Sequence, residues 1–463
     1  MRRLLVIGLD CAPPELLFER FEDVMPTVRG LRERGSWGAL RSSEPPITVP
    51  AWACMTSGRD PGELGLYGFR ERVERSYEMR IADARASRVP RVWEYLGRAG
   101  RRVALQHIPL SWPPPPVRGI SISCFLRPGE AQPWTFPPTL AAEIEPRFGP
   151  HRPDVRHHRQ GDPEALLADL HESTRRRFAL ARYLSQSRRP DFQMMVEMGP
   201  DRLHHALWHA FEPTHPRFDP EGPYVNAARD YYAALDAEIR ALIETHEAGG
   251  AEEAAVMLAS DHGARSRIGG FRINEWLRRQ GWLVLKEEPR EPIPFDPARV
   301  DWSRTRAWAE GGYYARVFLN VRGREPEGTV EPSASEGARD ALAAALEGLS
   351  LPGGASMRNR ASRAERAYRK VRGQPPDLLV YLSELEYRSL GSVGPGPLFV
   401  EDEEESLDGC NHDWEGIFVL AGAGLPARGR IEGASLYDIT PTILGALGVQ
   451  GPEDLRGRDW SRA

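Results

Sequence analysis

The sequence predicts one large α/β domain built around a buried sheet with parallel strands. Three observations carry that expectation. Short continuous apolar runs recur along the chain, at residues 4–9, 103–108, 192–196, 254–259, 378–382 and 416–420. Runs of this length describe strands covered on both faces. Amphipathic stretches such as 92–98 and 227–245 lie between them, so strand and helix alternate over the whole length. Finally, 463 residues that are 41% hydrophobic and 27% charged suffice for a core without disulfide support.

The first run, LLVIGLD, stops abruptly at Asp10. The carboxyl ends of such strands are where open α/β sheets carry ligands. Two arginines precede it, as in a signal peptide, but the apolar stretch 4–9 is too short for a secretory segment. No 18-residue apolar window follows. The expectation is a soluble, cytoplasmic protein without a membrane span. Residues 109–160 are rich in proline and arginine. With a helix over 163–187 they predict an insert or cap, residues 109–190, on the ligand-bearing edge of one domain spanning 1–463. Residues 286–300 form a second proline-rich connection, and the acidic run 401–405 reads as a solvated loop. No internal repeat is visible.

Composition excludes several functions. The formal charge is −5, and only two of the 61 basic residues are lysines, Lys286 and Lys370. A nucleic-acid binder working by bulk charge is not expected. The four cysteines, Cys11, Cys54, Cys124 and Cys410, contain no Cys-x-x-Cys pair. That excludes a zinc ribbon or a thioredoxin-type site and fits a reducing compartment.

The residues able to do chemistry sit at strand ends. Asp10 closes the first run, where an aspartate serves either as a turn former or as a metal ligand. Thr48 precedes Val49 and Pro50, and proline suits a first helical turn. Thr48 is therefore either a plain helix cap or a hydroxyl at an anion-binding helix end, with the Val49 N–H as a donor. Asp201 and His205 stand four apart, on one face of a helical turn. His204 and His209 read as packing or surface residues. Asp261 and His262 follow AAVMLAS, with Gly263 freeing the turn, and His412 precedes the run IFVLAG. Each is ambiguous alone. Together, Asp10, Asp201, His205, Asp261, His262 and His412 form an oxygen and nitrogen donor set that suits two borderline divalent ions.

With these motifs in order, the chain resembles the alkaline phosphatase superfamily, in its type I phosphodiesterase/nucleotide pyrophosphatase branch. It is most similar to the predicted phosphohydrolase-or-phosphomutase group. The matching segments are VIGLD, PPITVPAWACMTSGRDPG, DRLHHALW, ASDHG with FRINEWL, NHDWEGIFVLAGAG and SLYDITPTILGALG. The resemblance implies a three-layer sandwich with a mixed, mostly parallel central sheet. It implies Thr48 as a nucleophile that becomes phosphorylated, with Val49 holding a phosphate oxygen. One metal would be bound by Asp10, Thr48, Asp261 and His262, and the other by Asp201, His205 and His412. Zn²⁺ is the expected ion, with Mn²⁺ and Mg²⁺ as alternatives. Two departures bear on the substrate. Leu64 replaces a histidine common after the nucleophile helix, and Phe69 stands where nucleotide pyrophosphatases carry an asparagine. Arg70, next to it, is the candidate phosphate contact.

The implied activity is a two-metal phosphoester hydrolase acting on a small phosphodiester or pyrophosphate of nucleotide type. A phosphomonoesterase or phosphomutase of the same superfamily and a non-catalytic metal-stabilised binding protein are the alternatives. A sulfatase would need a Cys or Ser in a C/S-x-P-x-R context, which Thr48-Val49-Pro50-Ala51 does not supply.

Overall fold

The computed structural model describes residues 2–156, 162–249, 254–401 and 408–462. These residues build a central sheet of ten strands. Across it run Gly429–Arg430, Gly35–Arg41, Glu415–Gly422, Ala254–Ala259, Arg3–Leu9, Phe192–Glu197, Val103–Gln106, Gly119–Ile122 and Thr135–Phe136, with Ala434–Ser435 also pairing Gly35–Arg41.

The five strands from Ala254–Ala259 to Gly119–Ile122 are parallel. Glu415–Gly422 runs antiparallel to both neighbours, and Thr135–Phe136 antiparallel to its one neighbour. The sheet is therefore mixed and mostly parallel. The 416–420 run is a strand, but an antiparallel one.

Alternate residues of each strand face opposite sides. Leu5, Ile7 and Leu9 enter one core with helices Pro26–Glu33, Pro163–Arg188, Gly199–Phe211 and Ala227–Glu247. Leu4 and Val6 enter the other with helices Thr48–Ser57, Val92–Arg98 and Ile439–Ala446. Both faces are covered, which is why the central strands read as unbroken apolar runs.

The run at 378–382 went elsewhere. Leu378–Tyr381 is an inner strand of a separate four-stranded antiparallel sheet, ordered Ala307–Glu310, Ala315–Leu319, Leu378–Tyr381, Arg360–Ser362. Its core includes Trp308, Phe318, Leu342 and Leu346. A fully buried strand looks the same in either kind of sheet, so apolarity alone could not assign it.

Residues 109–190 supply the edge strands Gly119–Ile122 and Thr135–Phe136 and the helices Thr139–Phe148 and Pro163–Arg188. Leu166, Leu170, Phe178 and Ala181 of the long helix pack on the sheet face. Most of the acidic run lies outside the described residues, and Glu401 ends the strand Phe399–Glu401. Among the described residues, no helix is long and apolar enough to cross a membrane.

Candidate metal centre

The parallel strands Arg3–Leu9, Phe192–Glu197 and Ala254–Ala259 end at one edge of the sheet, and that edge carries the site. Asp10 follows the first strand. Asp201 and His205 lie on the helix after the second, and Asp261 and His262 follow the third. His412 arrives on the short strand Cys410–Asp413, paired antiparallel with Gly263–Ser266 so that it stands opposite Ala264. Gly263 is needed here for close approach rather than for a free turn: a Cβ would lie 2.3 Å from the Glu415 carbonyl oxygen.

Several of these side chains come close together. Asp201, His205 and His412 bring one ligand atom each within 4.8 Å of one another, and so do Asp10, Asp201 and His262. Asp201 thus belongs to both groups. Asp261 joins through its Oδ2, 3.1 Å from His262 Nε2. The Nε2 atoms of His205 and His412 are 3.3 Å apart. All these residues are buried.

Each imidazole is held from behind. His205 Nδ1 is 2.8 Å from Asp408 Oδ1, His412 Nδ1 is 2.9 Å from the Pro46 carbonyl and His262 Nδ1 is 3.0 Å from the Gly263 carbonyl. With Nδ1 engaged in this way, Nε2 is the ring nitrogen that faces the cluster and would serve as the ligand atom. The carboxylates are treated alike. Trp52 Nε1 donates to Asp10 Oδ2 at 2.6 Å, the Cys11 N–H to Asp261 Oδ1 at 3.2 Å and Arg202 to Asp201 Oδ2. Their other oxygens, Asp10 Oδ1, Asp261 Oδ2 and Asp201 Oδ1, are buried without a hydrogen-bond partner.

The electrostatics point the same way. Burial, reinforced by neighbouring carboxylates, pushes the Asp10 and Asp261 carboxyls well above their usual range. Burial opposes ionisation of Asp201 too, but His205 and Arg202 hold it well below that range. Burial lowers His262 to about 4. Three buried acids with unsatisfied oxygens, gathered with three imidazoles, are costly as they stand, and a bound cation would offset that cost. The donor set fits a divalent metal.

Thr48 is the first residue of its helix, and Ile47, not Thr48, occupies the cap position. The Thr48 hydroxyl is free to face the cluster, with Oγ1 3.3 Å from His262 Nε2. The Val49 N–H belongs to the first turn, whose donors the helix itself cannot satisfy. His204 is a packing residue, bonded to the Tyr232 hydroxyl at 3.0 Å. Leu64 is part of a small apolar core with Val49, Ala53 and Cys54. Arg70 directs its guanidinium at Glu310, 3.4 Å away, with its side chain 58% exposed.

Several residues at the site escaped the sequence reading: Trp52, Asp408, Arg202 and above all Tyr313. The Tyr313 ring lies flat on His412 at 3.8 Å, and His412 in turn stacks on His262 at 3.7 Å. Phe69 neighbours both Tyr313 and Phe125, at 6.4 Å each.

The sequence profile described as type I phosphodiesterase / nucleotide pyrophosphatase matches residues 4–405. Among curated proteins none matches this chain. Among solved structures, phosphonoacetate hydrolase from Sinorhizobium meliloti 1021, in complex with phosphonoformate, superposes with a TM-score of 0.56 at 16% identity, over 96% of this chain and 95% of that one. Murine ectonucleotide pyrophosphatase / phosphodiesterase 5 superposes with a TM-score of 0.57 at 12% identity, over 97% and 96%. At such identities the likeness is one of fold.

Proposed function

The chain belongs to the type I phosphodiesterase / nucleotide pyrophosphatase family, whose members are phosphoester hydrolases, and on that premise we propose that it cleaves a phosphodiester or pyrophosphate through a phosphorylated Thr48. The observation that carries this reading is the convergence of three buried carboxylate oxygens without partners and three imidazole Nε2 atoms beside the Thr48 hydroxyl.

We assign Asp10, Thr48, Asp261 and His262 to one divalent cation and Asp201, His205 and His412 to a second, with Asp201 reaching both. Zinc suits this donor set, and manganese or magnesium are the alternatives. Such cations lower the pKa of a coordinated hydroxyl and offset charge on a transferring phosphoryl group. Thr48 Oγ1 attacks phosphorus in line. Its bond to phosphorus forms as the bond to the leaving oxygen breaks. The Val49 N–H donates to a nonbridging oxygen as charge builds there. Water then hydrolyses the phosphothreonine. Trp52, Asp408 and the Pro46 carbonyl keep Asp10, His205 and His412 in place throughout.

A monoester carries one more charged oxygen than a diester and needs an additional cation or donor for it. Arg70 would serve that oxygen only by releasing Glu310. With Phe69 beside it, the site favours a diester. After metal reconstitution, kcat/KM for bis-p-nitrophenyl phosphate should exceed that for p-nitrophenyl phosphate by at least about tenfold, roughly 1.4 kcal/mol. p-Nitrophenyl sulfate should not turn over. Equal or reversed phosphoester efficiencies would place the chain with the monoesterases, and no turnover of any ester would leave a metal-stabilised binding protein. Elemental analysis should give about two divalent ions per chain.

A further inference from the structure

Tyr313 comes from the smaller antiparallel sheet, in the turn between Ala307–Glu310 and Ala315–Leu319, whereas the metal candidates come from the large sheet and its adjoining segments. Its place is fixed on several sides. The ring stacks on His412 with planes 22° apart, the Arg388 guanidinium lies 4.6 Å from its centroid, and Asn411 Nδ2 donates to its carbonyl at 3.2 Å. Arg388 also pairs with Asp408, which holds His205, so the tyrosine and the imidazole share one brace.

The hydroxyl is the informative atom. It lies 3.4 Å from His205 Nε2, the ring nitrogen that faces the cluster. With that nitrogen bound to a cation, the hydroxyl would no longer pair with it and would be free to donate elsewhere in the same small space. Thr48 stands at the opposite end of the stack, against His262. An in-line displacement puts the leaving oxygen on the side of phosphorus away from the attacking one. A hydroxyl at the end of the stack away from Thr48 would then lie on the side where negative charge develops on the leaving oxygen.

We propose that Tyr313 is a catalytic residue whose hydroxyl donates a hydrogen bond to the leaving oxygen of the phosphoester. This rests on the proposed transfer to Thr48. In that step Thr48 Oγ1 gives its proton to solvent and bonds to phosphorus. The electron pair of the breaking bond goes to the leaving oxygen, Tyr313 stabilises it there, and water protonates it on release. The contribution grows with the charge carried by that oxygen, so alkyl esters with basic leaving groups depend on Tyr313 more than activated aryl esters do.

The test is Tyr313→Phe, which keeps the ring on His412 and removes only the hydroxyl. Esters of one series, from p-nitrophenyl through phenyl to alkyl, are compared with wild type. The expected result is a loss of kcat/KM of a few-fold or less for the p-nitrophenyl ester, rising to about 10²-fold for the alkyl ester. Metal content by elemental analysis, and zinc affinity titrated into the chelated protein, should match wild type. A uniform loss across the series, or none, overturns the proposal. A loss of zinc affinity in Tyr313→Phe also overturns it, since the hydroxyl would then be acting through His205. Failure of the underlying reading looks different: acid-quenched wild-type enzyme would show no phosphate on Thr48 by mass spectrometry, whatever Tyr313→Phe does.

Discussion

Thr48 is 2% exposed, its hydroxyl caps nothing in its own helix, and its Oγ1 lies 3.3 Å from an imidazole nitrogen of the same cluster. On the proposed mechanism this hydroxyl is the nucleophile. Thr48→Ala should lower turnover by at least about 10³-fold, while metal content stays close to wild type because the acids and imidazoles remain. Thr48→Ser keeps the oxygen and should retain measurable activity. Wild-type turnover in Thr48→Ala would make water the direct nucleophile. The Asp and His residues that cluster here were legible in the sequence as a set, because each follows or precedes a strand-like apolar run. Their braces were not. Trp52 meets Asp10, Asp408 meets His205 and Tyr313 meets His412 across 42, 203 and 99 positions, and no local pattern encodes such pairings.

Between elements, the first strand packs tightly against the Thr48–Ser57 helix near the site. A Cβ on Gly8 would lie 2.3 Å from Trp52 Cη2 and 3.0 Å from Val196 Cγ2. Only glycine lets the indole lie against the strand, and that indole is what holds Asp10. Gly8→Ala should therefore cost about 1–3 kcal/mol of stability and weaken metal retention as Trp52 is displaced. Thermal unfolding and elemental analysis after dialysis measure the two effects. If both match wild type, Trp52 does not position Asp10. The continuous apolar runs at 4–9, 192–196 and 254–259 identified the inner strands, because burial on both faces leaves that signature. Gly35–Arg41 left no such trace: its sequence GSWGALR mixes glycines and an arginine, and alternate residues toward its end are half-exposed or exposed.

At the scale of the molecule, a core that covers both faces of the sheet also traps histidines away from water. His246, 1% exposed at the end of the Ala227–Glu247 helix, is pushed down to about 4 by burial and then by Arg3, whose guanidinium donates to its carbonyl. Burial chiefly brings His204 to about 3 and His215 to about 4. The unfolded chain binds protons on these groups near pH 6.5 and the folded chain does not. Stability from each is therefore full above pH 6.5 and is lost as the pH falls toward the folded value, about 1–2 kcal/mol apiece by pH 5. The melting temperature should drop between pH 7.5 and pH 5. The comparison belongs in chelated protein, so that metal release at the acidic pH does not contribute. His246→Gln removes one titrating group and leaves Arg3 its carbonyl acceptor, so its melting temperature should fall by less over the same interval. Scanning calorimetry of both proteins at the two pH values reads the difference. An identical drop in the variant would mean that His246 is already charged in the folded protein, and the acid sensitivity would then have to come from the remaining buried imidazoles alone.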